Sequence, residues 1–69
     1  MSLAKNIEVI AEGETIEQAF ENAVSEASET VSSIKQVWAD NIRAVVENNK
    51  ITSYRIDAKI TFEVKKKAK

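Results

Sequence analysis

Residues 33–66 read SIKQVWADNIRAVVENNKITSYRIDAKITFEVKK, and the fold turns on how this stretch is divided. Two runs within it, 36–47 and 51–64, are rich in Val, Ile, Thr and aromatics, the side chains that fit a pleated surface. Between them ENNK sets Asn48 beside Asn49, and asparagine tolerates the positive φ that a tight hairpin turn demands. The two runs therefore read as long antiparallel strands joined at these asparagines, with Glu47 facing Lys50. Counting outward from that turn pairs Val37 with Ile60, Ala39 with Ala58, Asn41 with Ile56 and Arg43 with Tyr54. The opposite face then carries Gln36, Trp38, Asp40, Ile42, Ala44 and Val46 against Thr61, Lys59, Asp57, Arg55, Ser53 and Ile51.

Upstream, residues 6–12 alternate, with Ile7, Val9 and Ala11 on one side and Glu8, Ile10 and Glu12 on the other, the period of a strand. Gly13 ends the alternation. Thr15 then reads as a helix N-cap, with Gln18 placed to reach back in a capping box. Ile16, Ala19, Phe20, Ala23, Val24, Ala27 and Val31 recur at three- and four-residue steps, one face of a helix of ~17 residues that ends near Ser32 or Ser33. The stripe is narrow and alanine-rich, which lets a helix lie close to a sheet. The expected fold class is α+β, in the order β-α-β-β: a three-stranded antiparallel sheet wrapped around one helix, with the last strand central.

The chain has 69 residues and reads as a single domain, 1–69, with 65–69 a basic, frayed tail. A domain of this size buries only about 60% of its unfolded surface and usually needs a disulfide, a metal or a partner subunit. Cysteine and histidine are absent, which removes disulfides, thiolate and imidazole catalysis, and most transition-metal sites. One glycine and no proline leave no means of writing a glycine-rich phosphate loop. Oligomerisation is what remains, and enzymatic turnover is not expected: two carboxylates on a small sheet supply no foreseeable cleft.

Net charge is −1, yet residues 1–64 carry six Lys/Arg against eleven Asp/Glu, and Lys65, Lys66, Lys67 and Lys69 offset this at the end. The acidic body lacks the interleaved arginines and aromatics of a nucleic-acid platform, so no nucleic-acid partner is expected. No apolar run approaches the roughly 20 residues of a membrane span, and MSLAKN has no signal-peptide core, which points to a cytoplasmic protein without a membrane partner.

A sheet of three strands with one helix leaves its second face bare in a monomer. Trp38, Ile42, Val46 and Ile51 on that face call for a cover, and further copies of the chain in closed symmetry can provide it. In the same register Asp40 faces Asp57 directly, an arrangement of like charges that needs compensation. A cation would compensate it, as would salt bridges to the flanking Lys59 and Arg55.

The order of these pieces resembles the dodecin family. The likeness runs through NIEVIAEGETIEQAFENAVSEASETV, residues 6–31, with its helical AVxxASET pattern, and ENNKITSYRIDAKITFEV, residues 47–64. The resemblance implies a homododecameric hollow shell, helices outward, that stores flavins such as FMN or riboflavin between aromatic rings on the inward sheet face. In the best-known members a Trp stands where this chain has Gln36, and a Gln where it has Arg55. Trp38, on the same face as Gln36 by strand parity, would be a displaced stacking surface, with Gln36 or Arg55 bonding a pyrimidine-like edge. Alternatively, Trp38 fills a subunit contact. The resemblance also allows a dodecin-like shell that binds calcium, here through Asp40 and Asp57, or a ligand-free scaffold.

Overall fold

The computed structural model describes residues 2–65, in the order β1 (Ser2–Gly13), α1 (Ile16–Ala27), β2 (Ile34–Glu47) and β3 (Lys50–Lys65). The strands form one antiparallel sheet in the spatial order β1-β3-β2, with α1 against one face. Strand β3 runs through Lys65, so the first residue of the expected basic tail continues the sheet, and the rest of that tail lies outside the described residues.

The hairpin turn is built as its residues require: Asn48 and Asn49 take φ of 54° and 63°, the left-handed pair of a type I′ turn. Thr15 caps α1, its Oγ1 accepting from the Gln18 backbone N–H at 3.0 Å. The reciprocal half of a capping box does not form, because the Gln18 side chain instead donates to Asn22 Oδ1 at 3.0 Å. Asn22 in turn donates to the Glu12 carbonyl at 2.7 Å and ties the helix to the end of β1. Gly13 lies where the strand end meets the first helical turn. A Cβ there would stand 2.5 Å from the Ala19 backbone nitrogen, so only glycine allows this approach.

The helix is shorter than its apolar periodicity suggests: 12 residues, ending at Ala27. Beyond it, hydroxyls compete for the backbone, with Ser28 Oγ bonded to the Ser25 carbonyl at 2.8 Å and Thr30 Oγ1 to that of Ala27 at 3.3 Å. Ser33, at φ 58°, then reverses the chain into β2. Val31 still packs against the core, from the turn rather than from the helix.

That core is thin. Ala19, Ala23 and Ala27 press onto Ala11, Ile56, Ala58 and Ile60, and only Ile56 and Ile60 among these are large side chains buried completely. Ile16, read from the sequence as part of the stripe, is exposed.

The β2–β3 register shifts at three places, one at the base of β2 between Ile34 and Gln36 and two near the middle and tip of the hairpin. Val46 faces Ile51 and Ala39 faces Ala58 as counted, but between them Asn41 faces Asp57, Ile42 faces Ile56 and Arg43 faces Arg55. Thr52 is the extra residue in β3, where its hydroxyl reaches the Val45 carbonyl at 3.4 Å, and Asp40 is the extra residue in β2. These two bulges cancel, so the counted register is kept from Gln36 to Ala39 while the segment between them slips by one. A one-residue slip exchanges faces. Ile42, Ala44 and Val46 therefore lie on the helix side of the sheet, and Asn41, Arg43 and Val45 take the side of Trp38.

Candidate functional site

The sheet face away from the helix has no second layer among the described residues. It is a field of paired charges. From β1 it receives Asn6, Glu8, Ile10 and Glu12, which stand opposite Thr61, Lys59, Asp57 and Arg55 of β3. From β2 it receives Gln36 opposite Thr61, Trp38 opposite Lys59, and, past the Asp40 bulge, Asn41 opposite Asp57 and Arg43 opposite Arg55.

Each acid here is held by a base. Lys59 Nζ lies 3.3 Å from Asp40 and 3.7 Å from Glu8, bridging the two edge strands through the central one. Arg43 Nη2 donates to both carboxylate oxygens of Asp57 at 2.9 Å. Arg55 Nη2 donates to Glu12 Oε1 at 3.2 Å while Ser53 Oγ donates to Oε2 at 2.8 Å. The Ser53 hydroxyl and then the Arg55 guanidinium hold the Glu12 carboxyl below its ordinary value of 4.5. Thr61 donates to Asn6 Oδ1 at 2.8 Å.

The residues singled out from the sequence are distributed unevenly over this face. Gln36 and Trp38 stand two apart on one strand face, Gln36 exposed and Trp38 half-buried. Arg55 does not join them: on β3 the residue across from Trp38 is Lys59, and four further residues along a strand amount to roughly 13 Å. Its guanidinium is engaged by Glu12. Asp40 and Asp57 do not face each other, because Asp40 is the bulged residue and Asn41 takes the place opposite Asp57. Both carboxylates border a hollow of about 320 Å³ with Glu8, Ile10, Arg43 and Lys59, but Asp57 is held by Arg43 and Asp40 by Lys59, which it shares with Glu8. Among the described residues no group of three acids, histidines or cysteines is gathered for a metal ion.

Counting from the turn missed Arg43 as the partner of Asp57 and Glu8 as a second acid on Lys59, while the expected salt bridge of Lys59 forms with Asp40. A signal for the bulges was nevertheless present. The apolar residues of β2 run Val37, Ala39, then Ile42, Ala44, Val46, and those of β3 run Ile51, then Tyr54, Ile56, Ala58, Ile60. Each series changes phase at the extra residue, and the bulges at Asp40 and Thr52 keep both series on one side.

A planar aromatic ligand on this face would find one indole as a stacking surface at Trp38, with the Gln36 amide and Lys59 ammonium beside it as edge partners. The donor set fits a flat heteroaromatic ring with a hydrogen-bonding edge. Among the described residues no helix is long and apolar enough to cross a membrane.

Fold and face together define a class: small sheet-and-helix proteins of β-α-β-β order whose second sheet face is left for something outside the chain. The chain belongs to the dodecin family, whose profile matches residues 3–65. Among solved structures, the tt0972 protein of Thermus thermophilus superposes with a TM-score of 0.87 at 18% identity, covering 97% of this chain and 100% of that one. The dodecin of Streptomyces coelicolor gives 0.84 at 21% identity, covering 96% of each chain. That of Streptomyces davaonensis gives 0.84 at 17%, covering 94% and 97%. No curated protein matches the chain.

Proposed function

We propose that this protein is the subunit of a closed homo-oligomer, a dodecamer, that binds and sequesters a flat heteroaromatic molecule of the flavin class, FMN or riboflavin, with Trp38 as the stacking surface and Gln36 as an edge partner. The observation that carries this reading is Trp38 itself, a half-buried indole on a sheet face that no other element among the described residues covers. Family membership supplies the ligand class. Stacking on an indole gives offset π contact and apolar burial, and a closed shell would shield the bound ring from solvent and reactants. The function is storage, with no bond made or broken. Arg55 is assigned no part in one-subunit binding, since Glu12, itself held by Ser53, engages it at the other end of the face.

Native mass spectrometry and visible absorption of freshly purified protein test the proposal together. A species near twelve times the 7.7 kDa subunit mass, carrying added flavin mass and a yellow colour, is expected. Trp38→Ala should remove the colour and leave the twelvefold mass. Twelvefold mass with no organic ligand would overturn flavin binding, and added calcium mass lost on replacing Asp40 and Asp57 with Asn would establish the cation-binding shell instead. A monomer would overturn the assembly.

A further inference from the structure

Two apolar surfaces on the helix side of the sheet have no cover among the described residues. The first lies on the hairpin arm. Strand β1 ends at Gly13, opposite Tyr54, and beyond that point β2 and β3 continue as a two-stranded arm. Ile42, at its root, is 48% exposed, and Val46 and Ile51, facing each other near its tip, are 57% and 56% exposed. The bulges at Asp40 and Thr52 put these three on the helix side. The second surface is a groove of about 400 Å³ between α1 and β2, floored by Phe20, Val24 and Val37 and edged by Glu21 and Ser25. It exists because α1 packs chiefly over β1 and β3, leaving the β2 margin of the sheet uncovered.

We propose that the arm of one copy seats Ile42, Val46 and Ile51 in the α1–β2 groove of a second copy. The inference rests on the self-assembly proposed above and adds the surfaces that make it. The arm cannot serve its own groove, since both lie on one side of one continuous sheet and the hairpin leads away from the helix in a molecule 60 Å long. A two-stranded ribbon is marginal in water alone and gains stability only against another surface.

The area to be covered fits a second copy. A compact chain of this length has a radius of gyration of about 11 Å, and this one has 14.7 Å. Its accessible surface is 5255 Å² where a compact monomer of its mass exposes about 4,300 Å². The excess is of the order of the ~800 Å² that each partner gives to a standard protein interface. Because arm and groove are different patches, the contact is heterologous: every copy offers one arm and one groove, and a rotation that closes produces a ring.

Complementation tests this against an arm-to-arm contact. One variant disables the arm (Val46→Asp with Ile51→Asp). Another disables the groove (Val24→Glu), and Ser25→Arg blocks it from its exposed rim without touching the core. Circular dichroism checks the fold of each. Native mass spectrometry, with one variant isotope-labelled, should find the arm variant and each groove variant smaller than the wild-type assembly alone, and a larger species containing both variants when arm and groove variants are combined. A mixture that forms no larger species containing both variants, or an arm or Ser25→Arg variant that assembles at wild-type size, overturns the proposal. Wild-type protein that is itself monomeric would instead overturn the assembly reading on which it rests.

Discussion

Arg43 bonds Asp57 diagonally across the β2–β3 ladder, its Nη2 2.9 Å from both carboxylate oxygens, while the residue directly opposite Arg43 is Arg55. Two guanidinium groups facing each other would repel. The repulsion is relieved by turning them apart, Arg43 toward Asp57 and Arg55 toward Glu12 of the neighbouring strand. Each of these acids thereby has a basic partner, with Lys59 shared between Glu8 and Asp40, which suits a surface enclosed by other subunits.

Because the Arg43–Asp57 pair is partly exposed, its net worth in an isolated subunit is small, about 0.5 kcal/mol. A double-mutant cycle with Arg43→Met and Asp57→Asn, measured by urea unfolding, should return a coupling of that size that shrinks at high salt. A coupling above roughly 2 kcal/mol would mean that the pair is desolvated in the assembly.

Glu12 makes stability depend on pH in one direction. Its folded carboxyl titrates below the ordinary 4.5, so the contribution is fully present above that value and is lost as pH falls through the folded one. Melting temperature followed from pH 6 to pH 3 should decline more steeply in wild type than in Glu12→Gln. Ser53→Ala, which removes the larger of the two stabilising hydrogen bonds, should recover part of that difference. Parallel curves for wild type and Glu12→Gln would be inconsistent with a native carboxylate held by Ser53 and Arg55.

Gly13→Ala should destabilise by about 1–3 kcal/mol, since the added methyl meets backbone of the first helical turn rather than a movable side chain. Thr15→Ala, which removes only the cap, should cost about 1 kcal/mol. Thermal melts of the two variants rank them, and a harmless Gly13→Ala would show that strand and helix can separate at no cost.

The core offers little redundancy. Ile56→Ala empties one of two large positions under an alanine-lined helix that cannot collapse further, and a loss of about 2–5 kcal/mol is expected. In a chain this small such a loss approaches the whole stability of a monomer. If chemical denaturation shows a loss below 1 kcal/mol, intersubunit contacts rather than this core hold the fold.

The elements were legible wherever local chemistry is strong. Asn48 and Asn49 announced the hairpin, Thr15 the helix start, and the alternation in residues 6–12 the first strand. The helix end was misplaced because Val31 continues the apolar spacing, although Ser28 and Thr30 divert the backbone before it. The candidate site was legible by face for Gln36 and Trp38, which precede the Asp40 bulge, and misassigned for Ile42, Val46 and the Asp40–Asp57 pairing, which depend on it.

Side-chain periodicity and turn chemistry, both written in the chain's own order, were enough to specify three strands, one helix, their sequence and the presence of a bare sheet face with one tryptophan. Which carboxylate meets which base was decided only on folding. A bulge costs one residue of register, and whether the ladder accepts it depends on how the apolar series of two distant strands pack beneath the same helix. Val37, Ala39 and Ile42 could share a side with Ile56, Ala58 and Ile60 only if Asp40 stepped out of line, and that step sent Asp57 to Arg43 and Asp40 to Lys59.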